Sequence, residues 1–174
     1  MSAFDVGCRA ALTVVFALAM TSKLRGRRAF DQLVRALADF GVPAPLVGAP
    51  MAALVILGEA IAVAALVAWP MVGYGVAAAL LLGFAAGIAA VLARGATVRC
   101  RCFGASDAPL GAAHLVRNLV LIGLAAVGGA AHLFATASAS PTLAVSAIAG
   151  ALAGWLVSRL DDLRFVFGAA PPRA

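Results

Sequence analysis

Two long stretches without a charged residue dominate the chain. Residues 118–158 form 41 consecutive uncharged positions, and residues 60–93 form 34. Upstream, Glu59 is the only charge between Phe40 and Ala93. A helix needs about 20 apolar residues to cross the hydrocarbon core of a bilayer. The uncharged stretches therefore predict four spans, in two pairs. Trp69-Pro70 separates the members of one pair and the segment 138–141 those of the other. A further uncharged run, residues 10–22, lies between Arg9 and Lys23, whose stems can snorkel outward and lengthen it. The expected helices cover 7–24, 46–68, 71–93, 111–134 and 142–158. Pro43, Pro45 and Pro50 mark the approach to the second, since proline suits extended segments and helix starts. A cleaved signal peptide is the rival reading of the first. It fits less well, because no basic region precedes the run and Arg25-Gly26-Arg27-Arg28 follows it like a stop-transfer signal.

Between the first two spans the pattern changes. Phe30, Leu33, Val34, Leu37 and Phe40 recur at helical spacing, with Arg27, Arg28, Asp31, Arg35 and Asp39 between them. Residues 27–40 thus predict an amphipathic helix lying in the membrane interface. The fold expected is an all-α integral membrane protein, one domain over residues 1–174, with a loop at 94–110 and a tail at 159–174. Strands of a β-barrel would alternate over about ten residues, and the Ala/Leu/Val/Gly runs do not.

Composition agrees. Of 174 residues, 64% are hydrophobic and 11% charged, against about 45–50% and about 25% in soluble domains. The basic residues are unevenly placed. Lys23, Arg25, Arg27, Arg28 and Arg35 follow the first span, Arg94, Arg99 and Arg101 the third, and Arg159, Arg164 and Arg173 the fifth. All eleven fall on one side, and only Arg9 on the other. The positive-inside rule then puts the N-terminus outside and the C-terminus in the cytoplasm of a multi-pass protein of the cell membrane. The net charge of +6 follows from this bias. Nucleic-acid binding is excluded, because so little soluble surface cannot form a basic groove.

The loop Arg99-Cys100-Arg101-Cys102-Phe103-Gly104 carries the most chemistry. Two cysteines one residue apart can close only a small, strained disulfide ring, and strained disulfides are oxidising and exchange readily. Arg99 and Arg101 favour the thiolate, which is the reactive form. His114 follows closely enough to tune it. Two other readings stay open here: cysteines buried for packing, or a metal site of Cys100, Cys102, His114 and Asp107. The latter lacks the paired spacing of structural zinc sites, and no metal is expected. Cys8 lies at the far end of the first span, about 30 Å away, and reads as a small packing residue.

Glu59 is the only acid inside a predicted span and should face a partner in the bundle. His114, Arg117 and Asn118 share one helix face. At 1.5 Å per residue, Glu59 lies about 14 Å beyond Pro50 and Arg117 about 9 Å beyond Gly111. Arg117 is therefore the favoured partner and Lys23 the second, with Asn118 completing a polar cluster. Gly83-x-x-x-Gly87 and Gly150-x-x-x-Gly154 permit close helix contact, within the bundle or between copies in an oligomer.

Together these features resemble the MauE-type membrane proteins, themselves similar to the DoxX-like group. Thr21-Ser22-Lys23-Leu24, Phe40-Gly41-Val42-Pro43, Glu59, Cys100-x-Cys102-Phe103-Gly104 and His114-Leu115-Val116-Arg117-Asn118 carry the likeness, over roughly residues 8–134. The usual pattern looks like four helices with glycine between the cysteines. Here Arg101 stands there, and a fifth helix is appended. The resemblance implies a redox-associated protein that assists maturation of a disulfide-rich partner in methylamine utilisation, alongside a thioredoxin-like protein. It makes thiol–disulfide oxidoreductase-like activity at Cys100 and Cys102 the leading expectation. The alternatives are a non-catalytic assembly subunit and a transport or quinone-binding subunit using the Glu59 pocket; no other cofactor is evident. One tension remains: disulfides form outside the cytoplasm, whereas the charge bias places Cys100 and Cys102 inside.

Overall fold

The computed structural model describes residues 2–40, 45, 47–95, 111–134 and 139–167, with only the backbone described at 140 and 160–167. Six helices follow in order: α1 Ala3–Leu24, α2 Arg27–Asp39, α3 Ala49–Ala68, α4 Pro70–Ala93, α5 Ala112–Leu133 and α6 Ser140–Phe167. All but α2 are long and apolar enough to cross a membrane, and there is no strand among the described residues. The architecture is the all-helical membrane bundle that the uncharged runs predict. Loop 96–110, with Arg99, Cys100, Arg101, Cys102 and Asp107, lies outside the described residues.

Local chemistry explains the helix ends. Ser2 caps α1 by accepting the Asp5 N–H at 3.1 Å. This helix therefore begins four residues before the apolar pattern does. Pro50 and Pro70 occupy first-turn positions of α3 and α4, where a missing N–H costs nothing. The α3–α4 hairpin closes tightly because Gly73 lies against the Leu66 backbone, where a Cβ would collide. Helix α6 continues beyond the expected residue 158 to Phe167.

Helices α1, α3, α4 and α5 enclose the core. Leu12, Phe16, Leu66, Leu81 and Leu121 are fully or almost fully buried there. Helix α2 packs Leu33 and Leu37 against Ala52 of α3. Its end is tied to α4 by a hydrogen bond from the Arg94 Nη2 to the Asp39 carbonyl.

Lipid is as apolar as leucine, so helix association within a bilayer depends on close packing. The most extensive pairing in the bundle is α1 with α6. Gly150 and Gly154 face the Gly7 and Ala11 carbonyls so closely that neither position has room for a Cβ. This glycine motif is thus used inside the chain and is not open to a second copy. Gly87 is likewise covered, by the Phe40 ring, while a Cβ at Gly83 would meet nothing. Successive spans alternate in direction. One end of the bundle gathers the ends of α1 and α4, the starts of α3 and α5, and α2. The other gathers the start of α1, the α3–α4 turn and the end of α5.

Candidate functional site

In the half of the bundle nearer α2, Lys23 and Glu59 form an ion pair with Nζ to Oε1 at 2.6 Å. The two side chains are 3% and 0% exposed. Lys23 does not snorkel outward as the apolar pattern suggests. Helical side chains tilt toward the N-terminus of their helix. At the end of α1 that tilt carries the ammonium back into the bundle, where it also donates to the Ala19 carbonyl at 3.3 Å. The Phe84 ring of α4 covers it, with its centroid 5.8 Å from Nζ.

Glu59 was expected to meet Arg117, and the structure pairs it with Lys23. The same tilt accounts for this. Arg117 sits in the second turn of α5, and its stem leans toward the start of that helix, away from mid-span. Arg117 is nevertheless buried and within electrostatic range of Lys23. Among the described residues, Lys23, Arg117 and Glu59 thus share this half of the interior. The second Glu59 oxygen, Oε2, accepts no hydrogen bond among the described residues. Neither does Asn118 Oδ1, although Asn118 Nδ2 donates to the His114 carbonyl at 2.8 Å. His114 is buried at the first turn of α5, where its Nδ1 accepts the Gly111 N–H at 3.3 Å. A ring so placed caps the helix and presents Nε2 as its remaining polar atom.

A second polar group, at the opposite end, has no counterpart in the sequence-based expectations. Asp5 is fully buried. Its Oδ1 accepts the Tyr74 hydroxyl at 3.0 Å, and its Oδ2 lies 3.1 Å from His132 Nδ1. Three helices, α1, α4 and α5, are thereby tied together. Gly128 makes room, since a Cβ there would lie 2.6 Å from the Tyr74 oxygen and 2.8 Å from Cys8 Cβ. Cys8 is a free, buried thiol packed in this wall. The signal for the group was Ser2-x-x-Asp5, a capping pattern that starts α1 early and draws Asp5 inside. Arg9 does not point freely into solvent. Its Nε and Nη2 donate to the Leu66 and Val67 carbonyls at 2.8 and 2.9 Å, capping the last turn of α3. No group of three metal-ligating side chains occurs among the described residues.

No curated protein and no solved structure matches the chain. A family model, described as Methylamine utilisation protein MauE, matches residues 1–131. The match takes in α1 to α5 nearly to the end of α5, with the Lys23–Glu59 group and with Asp5 and Tyr74 of the second group; His132 and α6 lie beyond it. The chain is a multi-pass membrane protein that belongs to the MauE family.

Proposed function

We propose that this protein exchanges disulfides with a thioredoxin-like partner through Cys100 and Cys102 and so assists maturation of a disulfide-bearing client. The observation that carries the reading is the family match over residues 1–131, which includes the Cys-x-Cys connection between α4 and α5. The chemistry is two-electron exchange. A partner thiolate attacks one sulfur of the Cys100–Cys102 disulfide and forms a mixed disulfide. The partner's second thiolate resolves it, leaving the partner oxidised and Cys100 and Cys102 reduced, with two electrons gained. Arg99 and Arg101 stabilise the departing thiolates, and His114 tunes them. Attack by the reduced pair on a partner disulfide reverses the sequence. Lys23, Glu59, Arg117 and Asn118 serve as the polar support inside the bundle, in the half where α4 ends and α5 begins. The charge bias favours the basic end, and so the Cys pair, in the cytoplasm.

The test is to trap the intermediate. In membranes carrying Cys102→Ser, Cys100 should accumulate as a mixed disulfide with a thioredoxin-like protein, separable by reduction on a second gel dimension. If no such adduct forms with either single serine variant, the exchange reading fails.

One observation favours a second reading, a small-molecule subunit that takes a quinone. A cavity of about 410 Å³ opens between α2, α3 and α4, lined by Leu37, Phe40, Val55, Leu80 and Phe84. Phe84 is also the wall over Lys23, whose partner Glu59 has an oxygen, Oε2, without a donor among the described residues. Stabilisation by a quinone that is lost in Glu59→Gln would support this reading over the first.

A further inference from the structure

At the end of the bundle that carries the start of α1, a groove of about 480 Å³ runs between α1, α3 and α6. That volume lies in the range of small-molecule sites. Val6, Val14, Leu66, Ala147 and Ile148 give it apolar walls, and Arg9 is its one charged lining residue. Arg9 is also the only basic residue assigned to this end of the chain by its sequence.

The depth of Arg9 suits a lipid headgroup. Its Cα lies six residues into α1, about 9 Å from the helix start. The helical tilt and the length of the stem carry the guanidinium outward to the interface. The Leu66 and Val67 carbonyls that it reaches belong to the last turn of α3, at the same level. Exposed Trp69, at the adjoining turn, is the kind of residue that marks a bilayer interface. The two bonds fix the orientation of the fork and use Nε and Nη2. Nη1 makes no hydrogen bond recorded among the described residues, so its N–H groups remain for a phosphate oxygen. From Arg9 the groove leads toward mid-membrane past Ala10, Thr13 and Val14 of α1, and Ala147, Ile148 and Ala151 of α6 form its facing wall. It exists because the Gly150 and Gly154 contacts hold α6 against α1.

We propose that this groove binds an anionic phospholipid, its phosphate on Arg9 and one acyl chain between α1 and α6. A zwitterionic lipid of the same chains fits the apolar groove equally but gains less from the cation. One basic residue near the interface supports about a fivefold preference for the anionic lipid.

The experiment titrates the detergent-purified full chain with phosphatidylglycerol, phosphatidylcholine of matched chains, or inorganic phosphate, and reads bound lipid by native mass spectrometry. The wild type should retain phosphatidylglycerol about fivefold better than phosphatidylcholine, with no binding of inorganic phosphate alone. Arg9→Gln should bring the two lipids to equal affinity. Ala147→Phe, which fills the groove and leaves the bonds of Arg9 intact, should lower the retention of both lipids. Equal retention of the two lipids by the wild type overturns the proposal. So does an unchanged preference in Arg9→Gln, unchanged retention in Ala147→Phe, or phosphate alone binding as well as the lipid.

Discussion

Removing Glu59 should be the most damaging single change in the interior, for a reason that depends on its partner. The Lys23–Glu59 bond is short and fully withdrawn from solvent. Breaking a buried pair from one side costs about 3–5 kcal/mol, because the remaining charge keeps its desolvation penalty without its partner. The two ways of breaking this pair are not equivalent. Glu59→Leu leaves the Lys23 ammonium within electrostatic range of the Arg117 cation and without its own carboxylate. Lys23→Met leaves a carboxylate that Arg117 can still approach. Glu59→Leu should therefore fall at the upper end of that range and Lys23→Met at or below the lower end. Glu59→Gln keeps an acceptor for Lys23 and should be milder than Glu59→Leu. The double variant Lys23→Met/Glu59→Leu removes both charges and should recover most of the loss, since a buried ion pair replaced by apolar side chains is often neutral or better. Arg117→Met added to Glu59→Leu should recover a smaller part. The assay is reversible unfolding in nanodiscs or mixed micelles for the complete cycle. Additive losses for Lys23 and Glu59 would refute the coupling. Stronger coupling of Glu59 to Arg117 than to Lys23 would show that the sequence-based pairing was right and this packing wrong.

Other outcomes follow from single contacts. Gly150→Leu should separate α6 from α1, because its side chain would occupy the space of the Gly7 carbonyl; loss of a disulfide cross-link engineered between α1 and α6 checks this. Overpacking of this kind costs about 1–3 kcal/mol. Tyr74→Phe should destabilise by about 1–3 kcal/mol, since it strips a donor from the fully buried Asp5 carboxylate. Combining it with Asp5→Leu should cost little beyond Asp5→Leu alone in the same unfolding assay. A single-cysteine reporter at Ser106 or Phe30, in a background without native cysteines, should resist an impermeant thiol reagent in sealed cells; labelling from outside would reverse the orientation given by the charge bias.

The fold was legible because a membrane leaves few choices. Uncharged runs of 41 and 34 residues cannot be anything but paired spans, and the helical spacing from Phe30 to Phe40 specifies α2 almost to the residue. Interior pairings were less legible. Depth along a helix can be counted from sequence, but the direction in which a long side chain leans decides its partner. Counting favoured Arg117 for Glu59, and the backward tilt at the end of α1 supplied Lys23 instead. Asp5 was overlooked because hydropathy started α1 at residue 7, although Ser2-x-x-Asp5 already signalled an earlier start. His132 and Tyr74 carry no formal charge and passed as part of an apolar run. Their convergence on Asp5 depends on how α1, α4 and α5 pack, which no local pattern encodes.

The central claim rests on Cys100 and Cys102, and their redox titration in native membranes tests it most directly. Membranes are equilibrated over a series of thiol–disulfide potentials, quenched with acid, and labelled with a mass-tagging maleimide, with Cys8→Ala as background. The account predicts that both tags disappear together as the poise becomes oxidising, through a single two-electron transition with a tenfold change in ratio per about 30 mV. Thiols that remain fully tagged at every potential, or that oxidise one at a time, would contradict it.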